Sequence, residues 1–292
     1  MLPLVADRCT PEYRDTMAIT LADFDYIRSL VRVRSALVLD SGKKYLVESR
    51  LDPLARQEGF SSLEQMVSSL RSVPSSDLHR KIVEAMTTNE TSFFREIRVF
   101  DMFRKTILPR LLASRISQRS LNLWCAAAST GQEPYSMAMV LREHFPSLQG
   151  WNVKLIASDI STVMLARART GHYNQFEINR GLPAHLLVKY FEKHDGWELK
   201  EEIRRMVEFR EINLIDPWPA LPPMDVIFMR NVLIYLDLET KKNILAKVGR
   251  LLDPAGYLVL GASETTINLD ASFEPLSLGG STCFRLRGKG RK

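Results

Sequence analysis

Four apolar segments of strand length are each followed by small or polar residues that could bind a ligand. The first leads into the run AAASTGQEPYS, which contains Gly131, and the second ends at Asp159. The third is followed by Asn213-Leu214 and the fourth by Arg230-Asn231. Because ligands of open α/β sheets bind beyond the carboxyl ends of the strands, we expect these residues to surround one cleft.

The pairing of Gly131 with Asp159 favours a nucleoside ligand that carries no pyrophosphate. An acidic residue at the end of the second strand can accept hydrogen bonds from both hydroxyls of a ribose. Asp159 could instead cap the following helix. The Gly131 loop lacks the three glycines of a GxGxxG dinucleotide motif, and the chain contains no GxxxxGK[ST] phosphate loop. An ordinary tight turn is the alternative for this loop. The combination fits S-adenosylmethionine.

Three further features are ambiguous when read from the residues alone. Asn213-Leu214 fall where an adenine would lie, or they form a plain loop. Tyr235 lies near the cleft if the turn after Asn231 becomes helical; otherwise it is a half-buried aromatic residue. The segment TTNETSFFRE, with Asn89, Thr91 and Arg95, precedes the first strand and indicates the start of a helix over Phe93–Leu112. Its polar residues would matter only if it folded over the cleft.

The elements that position these residues change in character after about residue 88. Residues 20–88 show helical periodicity with capping boxes at Thr20 and Ser61, and Pro53 either kinks the helix predicted over Lys43–Glu58 or starts a new one. Beyond them, six strand-length runs alternate with helical patterns, which predicts βαβ units and a parallel sheet buried on both faces. The predicted strands are Leu121–Ala126, Val153–Ser158, Val207–Glu211, Asp225–Met229, Tyr257–Gly261 and Thr282–Leu286. The predicted helices between them are Tyr135–His144, Thr162–Thr170 and Glu239–Leu252. The polar segment Gly171–Arg205 interrupts this rhythm as an insertion.

Composition excludes several classes of protein. The 292 residues are 45% hydrophobic and 25% charged, which supports about two globular domains. No stretch approaches the roughly 18–20 apolar residues of a membrane span, and the first residues lack the layout of a secretory signal. Cys9, Cys125 and Cys283 are widely separated, which excludes a disulfide scaffold and fits a cytoplasmic protein. The net charge of +6 comes mainly from residues 89–120 and the tail, so it does not indicate a basic nucleic-acid face.

The motifs TTNETSFFRE, LWCAAASTGQEPYSMAM, ASDIS, FREINL and FMRNVLIYL, in this order, resemble those of the CheR-type chemotaxis receptor glutamate methyltransferases. The resemblance runs from about residue 20 to about residue 285. It implies an α/β fold, in which a small all-α N-terminal domain precedes a Rossmann-like methyltransferase domain with a small inserted antiparallel β-subdomain. The implied limits are 17–88 for the helical domain, 89–120 for a linker helix over the cofactor cleft, 121–287 for the methyltransferase domain with the insertion at about 171–205, and 288–292 for a basic tail.

The resemblance also implies a reaction and a set of site residues. S-adenosylmethionine would donate a methyl group to glutamate side chains on the cytoplasmic helices of chemotaxis receptors, leaving S-adenosylhomocysteine. Arg95 and Tyr235 match the family residues nearest the transferred methyl. The implied cofactor contacts are Asn89, Thr91, Arg95, Glu133, Asp159, Asn213, Leu214, Arg230 and Asn231. A glutamate carboxylate is already ionised at neutral pH, so no general base or metal is needed, and the five scattered histidines indicate none.

The resemblance further implies how the chain meets its partner. Basic residues of the N-terminal domain match those that face the receptor: Lys43, Lys44, Arg50 and Arg56. Pro53 interrupts their helix, and the domain has no net charge. The loop around Lys193–Trp197 is shorter than the one with which some members grip a pentapeptide at the receptor C-terminus, so we expect action without that tether. Nothing in the sequence indicates an obligate dimer, and a monomer is expected.

Two other functions remain open from the sequence. A nucleic-acid methyltransferase would use the same cofactor, but the position of its [DN]PP[YF] motif reads RNVLIY, and Cys125 lies inside the first strand, where we expect it in the core rather than as a nucleophile. A module that senses the cofactor without catalysis is the second, although the presence of Arg95, Arg230 and Tyr235 argues against it. A nicotinamide-dependent oxidoreductase fits least well, because the loop has a single glycine.

Overall fold

The computed structural model describes residues 19–73 and 75–288, so Cys9 and the last four residues of the predicted basic tail lie outside the described residues. The chain divides into two compact units. Of the described residues, one unit comprises those up to Leu30 together with Leu39–Ala85, and the other comprises Val31–Val38 together with those from Met86 onward. Within the described ranges, no helix has the length and apolar character needed to cross a bilayer.

The first unit is helical, as the periodicity predicted. Its helices are α1 (Leu21–Ser35, whose last turn belongs to the second unit), α2 (Lys44–Gln57), α3 (Leu63–Ser72) and α4 (Asp77–Met86). Thr20 caps α1 by accepting the Asp23 N–H at 3.1 Å, as predicted. The cap of α3 is Ser62, which accepts from Gln65, so the prediction of Ser61 was one residue early.

Pro53 does not interrupt the second helix. It lies inside α2, which continues from Lys44 to Gln57. Proline lacks the N–H that would bond the Ser49 carbonyl, a local loss that burial of Val47, Leu51 and Ala55 on the opposite side offsets. The helix ends before Gly59, whose φ of +83° suits glycine and supports its prediction as the stop.

The predicted helix over Phe93–Leu112 begins later than expected. It consists of α5 (Ile97–Met102), a π-helical turn (Phe103–Ile107) and α6 (Leu108–Ser114). Phe94 and Glu96 have φ values of +49° and +60°, which no right-handed helix accommodates. Phe93 and Phe94 are nevertheless buried, and their packing against other aromatic rings outweighs the helical preference of the segment.

The second unit is built on a seven-stranded sheet. In chain order its strands are β1 (Ser120–Ala126), β2 (Asn152–Asp159), β6 (Val207–Glu211), β7 (Met224–Met229), β8 (Leu252–Leu260), β9 (Phe273–Leu278) and β10 (Ser281–Leu286). Their spatial order is β6-β2-β1-β7-β8-β10-β9. The first five are parallel, and the β9–β10 hairpin adds to the edge in antiparallel fashion. The sequence did not predict β9.

Both faces of the sheet are buried, as predicted for a parallel sheet. Leu123 and Cys125 of β1 pack into one apolar cluster together with α5, α6 and helix α7 (Gln132–His144). Trp124 and Ala126 face a second cluster that includes helix α12 (Leu238–Leu251). Helix α8 (Thr162–Thr170) follows β2 within the predicted limits.

The segment after α8 forms a small inserted subdomain. It contains β3 (His172–Tyr173), α9 (Gln175–Asn179), α10 (Ala184–Tyr190), β4 (Phe191–His194), β5 (Gly196–Leu199) and α11 (Glu201–Arg204). The three strands are antiparallel in the order β3-β5-β4, and β4 and β5 are joined by a turn at Asp195. The predicted hairpin in this region is therefore confirmed.

Candidate active site

One pocket lies at the carboxyl ends of the parallel strands in the second unit. It is lined by segments that follow β1, β2, β6 and β7, together with residues 87–95 and part of Val31–Val38. Every residue that the sequence assigned to catalysis or cofactor binding lines it: Asn89, Thr91, Arg95, Glu133, Asp159, Asn213, Leu214, Arg230, Asn231 and Tyr235. Residues from five separate stretches of sequence thus meet in one cavity.

The loop between β1 and α7 is tightly shaped. Gly131 has a φ of +92°, and a Cβ there would lie 3.0 Å from the Cβ of Ala168, so only glycine fits without movement. Ala127 and Ser129 also have positive φ values, of +55° and +50°. Such conformations cost energy for residues other than glycine and are typical of loops that hold a ligand.

Asp159 connects this loop to the end of β2. Its Oδ2 accepts the Ser129 N–H at 2.8 Å, and its Oδ1 accepts the Ser161 N–H at 2.9 Å. The cap of α8 is Ser161, which accepts from Met164, so the alternative that Asp159 merely caps the helix is wrong. The carboxylate is thus fixed at the wall of the pocket by two backbone donors.

Residues 87–95 fold over the β1 loop. The Ser129 hydroxyl donates to the Asn89 carbonyl at 2.8 Å, and the Phe94 N–H donates to the Ser136 hydroxyl at 3.0 Å. Arg95 is half-buried, and its Nη1 donates to the Glu90 carbonyl at 3.0 Å. This segment is therefore a wall of the pocket rather than the start of a helix.

Arg230 occupies the centre of a buried ionic cluster. Its side chain is completely buried; its guanidinium donates to Glu133, lies 3.2 Å from the Glu96 carboxylate and donates to the Arg95 carbonyl at 2.9 Å. Burial lowers the pKa of Arg230, but the charges of Glu133 and Glu96 outweigh it, so the pKa lies above its ordinary value. Within the described ranges, Nε of Arg230 is buried without a hydrogen-bond partner.

Cys125 lies in the core beneath this cluster, as predicted. It is fully buried, and its Sγ donates to Glu133 at 3.4 Å. Burial, and secondarily the Glu133 charge, raise the pKa of the thiol well above its ordinary value. A neutral thiol of this kind is a poor nucleophile.

The loop after β6 is held by donors that the sequence did not reveal. The Asn213 side-chain amide donates to the Arg34 carbonyl at 2.8 Å. Lys247 of α12 donates to the carbonyls of Leu214, Ile215 and Asp216 at 2.8–3.0 Å. Burial lowers the pKa of this ammonium, an effect that the Asp216 charge opposes. Nothing in the sequence of an amphipathic helix indicates that one of its lysines will bond to the carbonyls of a distant loop.

Tyr235 ends a single 3₁₀ turn over Leu233–Tyr235, so the turn after Asn231 is helical. Its carbonyl accepts the Val38 N–H at 3.0 Å, and Leu37 forms an antiparallel bridge with Leu236. Ser35 and Leu37 therefore line the pocket although they stand far away in the sequence. They reach the pocket only through contacts between residues that lie far apart in the sequence. No local pattern could therefore have identified them.

The four residues predicted to face a receptor belong to the helical unit. Lys43 lies 3.2 Å from Asp40, and the other three are on α2. Arg50 lies six residues after Lys44, and Arg56 lies six residues after Arg50. At about 100° per residue, this spacing spreads the three side chains almost evenly around the helix. At most two of these three can share one face.

The pocket offers donor and acceptor groups that suit a nucleoside with an amino-acid tail. Asp159 supplies a carboxylate, Asn89 and Asn213 supply amides, and Arg95 supplies a guanidinium. Apolar side chains supply another part of the lining, among them Ala127, Ile160, Ile212, Ile215, Val232 and Leu236. The described residues contain no group of three or more histidine, cysteine, aspartate or glutamate side chains placed to hold a metal ion.

Comparison with known proteins agrees with this chemistry. The family model described as the SAM binding domain of the CheR methyltransferases matches residues 89–279, and the model of their all-alpha domain matches residues 22–87. The chain belongs to the CheR methyltransferase family. The resemblance drawn from the motifs is thereby confirmed, and so are the fold class and the cofactor S-adenosylmethionine.

Relatives match this CheR-family chain over most of its length. Chemotaxis protein methyltransferase 1 of Pseudomonas aeruginosa is 38% identical over 276 residues, which cover 93% of this chain and 100% of the relative. Chemotaxis protein methyltransferase Cher2 of Pseudomonas putida is 39% identical over 86% of this chain and 93% of the relative. The chemotaxis protein methyltransferase of Escherichia coli is 35% identical over 93% of each. The chain is an S-adenosylmethionine-dependent methyltransferase of chemotaxis.

Proposed function

We propose that this methyltransferase esterifies glutamate side chains on the cytoplasmic helices of chemotaxis receptors. One observation carries the proposal: the residues that match the motifs of the family line a single pocket. The pocket combines a guanidinium, at Arg95, with a phenol, at Tyr235, and both suit a carboxylate acceptor. The remaining lining suits the methyl donor.

We assign the donor to the strand-end residues of the pocket. Asp159 accepts hydrogen bonds from the ribose hydroxyls, and Asn213 and Leu214 lie against the adenine. The other contacts come from Asn89, Thr91, Glu133, Arg230 and Asn231. When bound, S-adenosylmethionine supplies an electrophilic methyl group on a sulfonium that is a good leaving group. In this assignment Arg230 acts mainly by holding Glu133, because its guanidinium already faces two carboxylates.

The acceptor needs positioning rather than activation. A glutamate carboxylate, with a pKa near 4.3, is ionised at neutral pH and attacks without a general base. Arg95 keeps four N–H groups beyond the one it donates to the Glu90 carbonyl, enough to bind a carboxylate. Tyr235, on the loop after β7, orients the acceptor. The rate then depends on holding the oxygen at near-attack distance in line with the methyl group.

The protein acts in the cytoplasm, as a single copy, with the receptor as its partner. Residues 17–88 would face the receptor, through Lys43 and whichever of Lys44, Arg50 and Arg56 lie on the same side of the domain as Lys43. Residues 89–120 would close over the cofactor, residues 121–287 would form the methyltransferase domain with its insertion at about 171–205, and 288–292 would form a basic tail.

We further propose that the enzyme needs no pentapeptide tether. His194 pairs directly with Gly196, so the β4–β5 turn has Asp195 alone at its tip. A turn this short offers no extended loop with which to grip a peptide. Titration calorimetry with a receptor C-terminal pentapeptide should show no binding, whereas clear saturable binding would refute this part of the proposal.

The decisive experiment identifies the acceptor atom. The protein is incubated with tritiated S-adenosylmethionine and receptor-containing membranes, and the labelled product is treated with mild base. Volatile, base-labile label is expected, because a carboxyl methyl ester hydrolyses to methanol. Label that resists base, or that appears only when nucleic acid replaces the membranes, would overturn the proposal in favour of methylation on nitrogen or carbon. Cofactor binding without label on any acceptor would instead indicate that the cognate receptor is missing from the membranes or that the protein is a sensor.

A further inference from the structure

A single carboxylate outside the predicted site organises the loop that carries Asn231 and Tyr235. Oε2 of Glu264 accepts the N–H groups of Asn231 at 2.7 Å and Gly261 at 2.8 Å. Oε1 accepts the N–H groups of Val232 at 2.9 Å and Ile234 at 3.2 Å. Four backbone donors thus converge on one side chain.

The loop needs such an acceptor because its own backbone leaves these donors unused. Asn231 has a φ of +58°, which interrupts regular structure directly after β7. Within the loop, the Tyr235 N–H bonds to the Val232 carbonyl and the Leu236 N–H bonds to that of Leu233. The N–H groups of Asn231, Val232 and Ile234 bond to Glu264 instead, and a carboxylate with two acceptor oxygens suits such a cluster.

The approach of the carboxylate depends on a glycine. A Cβ on Gly261 would lie 2.7 Å from Nδ2 of Asn231 and 2.8 Å from Oε2 of Glu264. Gly261 follows β8 directly, and its carbonyl accepts the Glu264 N–H at 2.9 Å in a tight turn. The end of β8 therefore fixes the loop that leaves the neighbouring strand β7.

We infer that Glu264 is a positioning residue for methyl transfer, which acts by holding Asn231 and Tyr235 in place. This inference rests on the proposed function, in which Tyr235 orients the acceptor carboxylate. Glu264 itself does not line the pocket. Its effect is therefore expected on the rate of transfer more than on the affinity for the donor, because most of the proposed donor contacts, all except Arg230 and Asn231, lie on other segments.

Replacing Glu264 with glutamine tests the carboxylate while keeping its size. The amide has one acceptor oxygen, and its NH₂ group would face two backbone donors. The loop must shift to relieve this conflict, and a misplacement of about 1 Å can cost about a hundredfold in rate. We expect kcat of E264Q to fall by about 10- to 100-fold, with a change of less than about threefold in the Kd for S-adenosylhomocysteine.

The measurement separates positioning from loss of folded protein. Calorimetric titration with S-adenosylhomocysteine counts the competent sites, and kcat is expressed per site for the wild type, E264Q, Y235F and the double variant. If Glu264 acts through Tyr235, the two substitutions will be non-additive. Glu239→Gln is the matched control, because that carboxylate is 75% exposed and its variant should keep wild-type kcat.

Each result has a distinct meaning. A wild-type kcat per site in E264Q would show that Glu264 only stabilises the fold, and fully additive effects with Y235F would show that Glu264 does not act through Tyr235. Either result would overturn the inference. A wild-type protein that binds S-adenosylhomocysteine but methylates no receptor carboxylate would overturn the proposed function, and this role of Glu264 with it. A reduced kcat per site together with non-additivity would establish the positioning role.

Discussion

The guanidinium of Arg230 and the carboxylate of Glu133 form an ion pair in which the arginine side chain is completely buried. Arg230 follows β7 and Glu133 lies in the first turn of α7, so the pair connects two neighbouring walls of the pocket. Glu96, which directly follows the segment 87–95, pairs with the same guanidinium. One buried cation therefore pairs with two carboxylates from different parts of the chain.

Replacing Arg230 with methionine should strongly destabilise the protein. Methionine is apolar and of similar length to arginine, so the substitution fills the same space. It leaves Glu133 and Glu96 without their counter-charge. Removing one partner of a buried pair typically costs about 3–5 kcal/mol of unfolding free energy. Urea denaturation measures this. Arg205→Met, which removes an exposed arginine paired with Glu201, should cost less than about 1 kcal/mol. Equal losses in both variants would contradict the central role of Arg230.

Replacing Asp159 with asparagine should weaken donor binding. The proposed ribose contacts would lose a charged acceptor, and hydrogen bonds to a charged group contribute about 1.5–3 kcal/mol. We expect the Kd for S-adenosylhomocysteine to rise about 10- to 100-fold in calorimetry. Asp270→Asn is the matched control, because that carboxylate also accepts an N–H two residues ahead, from Ser272, but does not line the pocket. An unchanged Kd in D159N would refute the ribose assignment.

Replacing Arg95 with alanine should lower turnover by about 100-fold or more, the usual effect of removing a donor that holds a reacting oxygen. Tyr235→Phe removes one hydroxyl and should cost about tenfold. Initial rates with receptor membranes at saturating donor measure both. Arg98→Ala, at an exposed arginine on α5, is the control that should keep normal rates. Near-normal turnover of R95A would exclude Arg95 from the reaction.

The two described cysteines should resist alkylation in the folded protein. Burial raises the pKa of Cys283 to about 11 and that of Cys125 well above its ordinary value, so neither thiol ionises near pH 8. Iodoacetamide at pH 8 should leave both peptides unmodified in mass spectrometry and should modify both in denaturant. As the pH rises, labelling of Cys283 should increase only when the pH approaches about 11. Rapid labelling of native Cys125 at pH 8 would revive the cysteine-dependent nucleic-acid alternative.

Much of the fold followed from local patterns in the sequence. The alternation of apolar runs with helical patterns predicted β1, β2, β6 and β7 within one residue at each end, and α8 without error. It missed β9, because that strand is half exposed at the edge of the sheet. The start of α5 was predicted too early, because burial of Phe93 and Phe94 overrides the helical preference of the segment.

The family, the two-part organisation and the set of strand-end residues could all be predicted from the sequence, because they depend on motifs and on periodicity along the chain. Other features of the site exist only in the folded protein. The bonds from the loop after β7 to Glu264, the bonds from Lys247 to the loop after β6, and the position of Ser35 in the pocket all join residues distant in sequence. Such contacts depend on where the folded backbone brings donors and acceptors together, and no local pattern of residues records that arrangement.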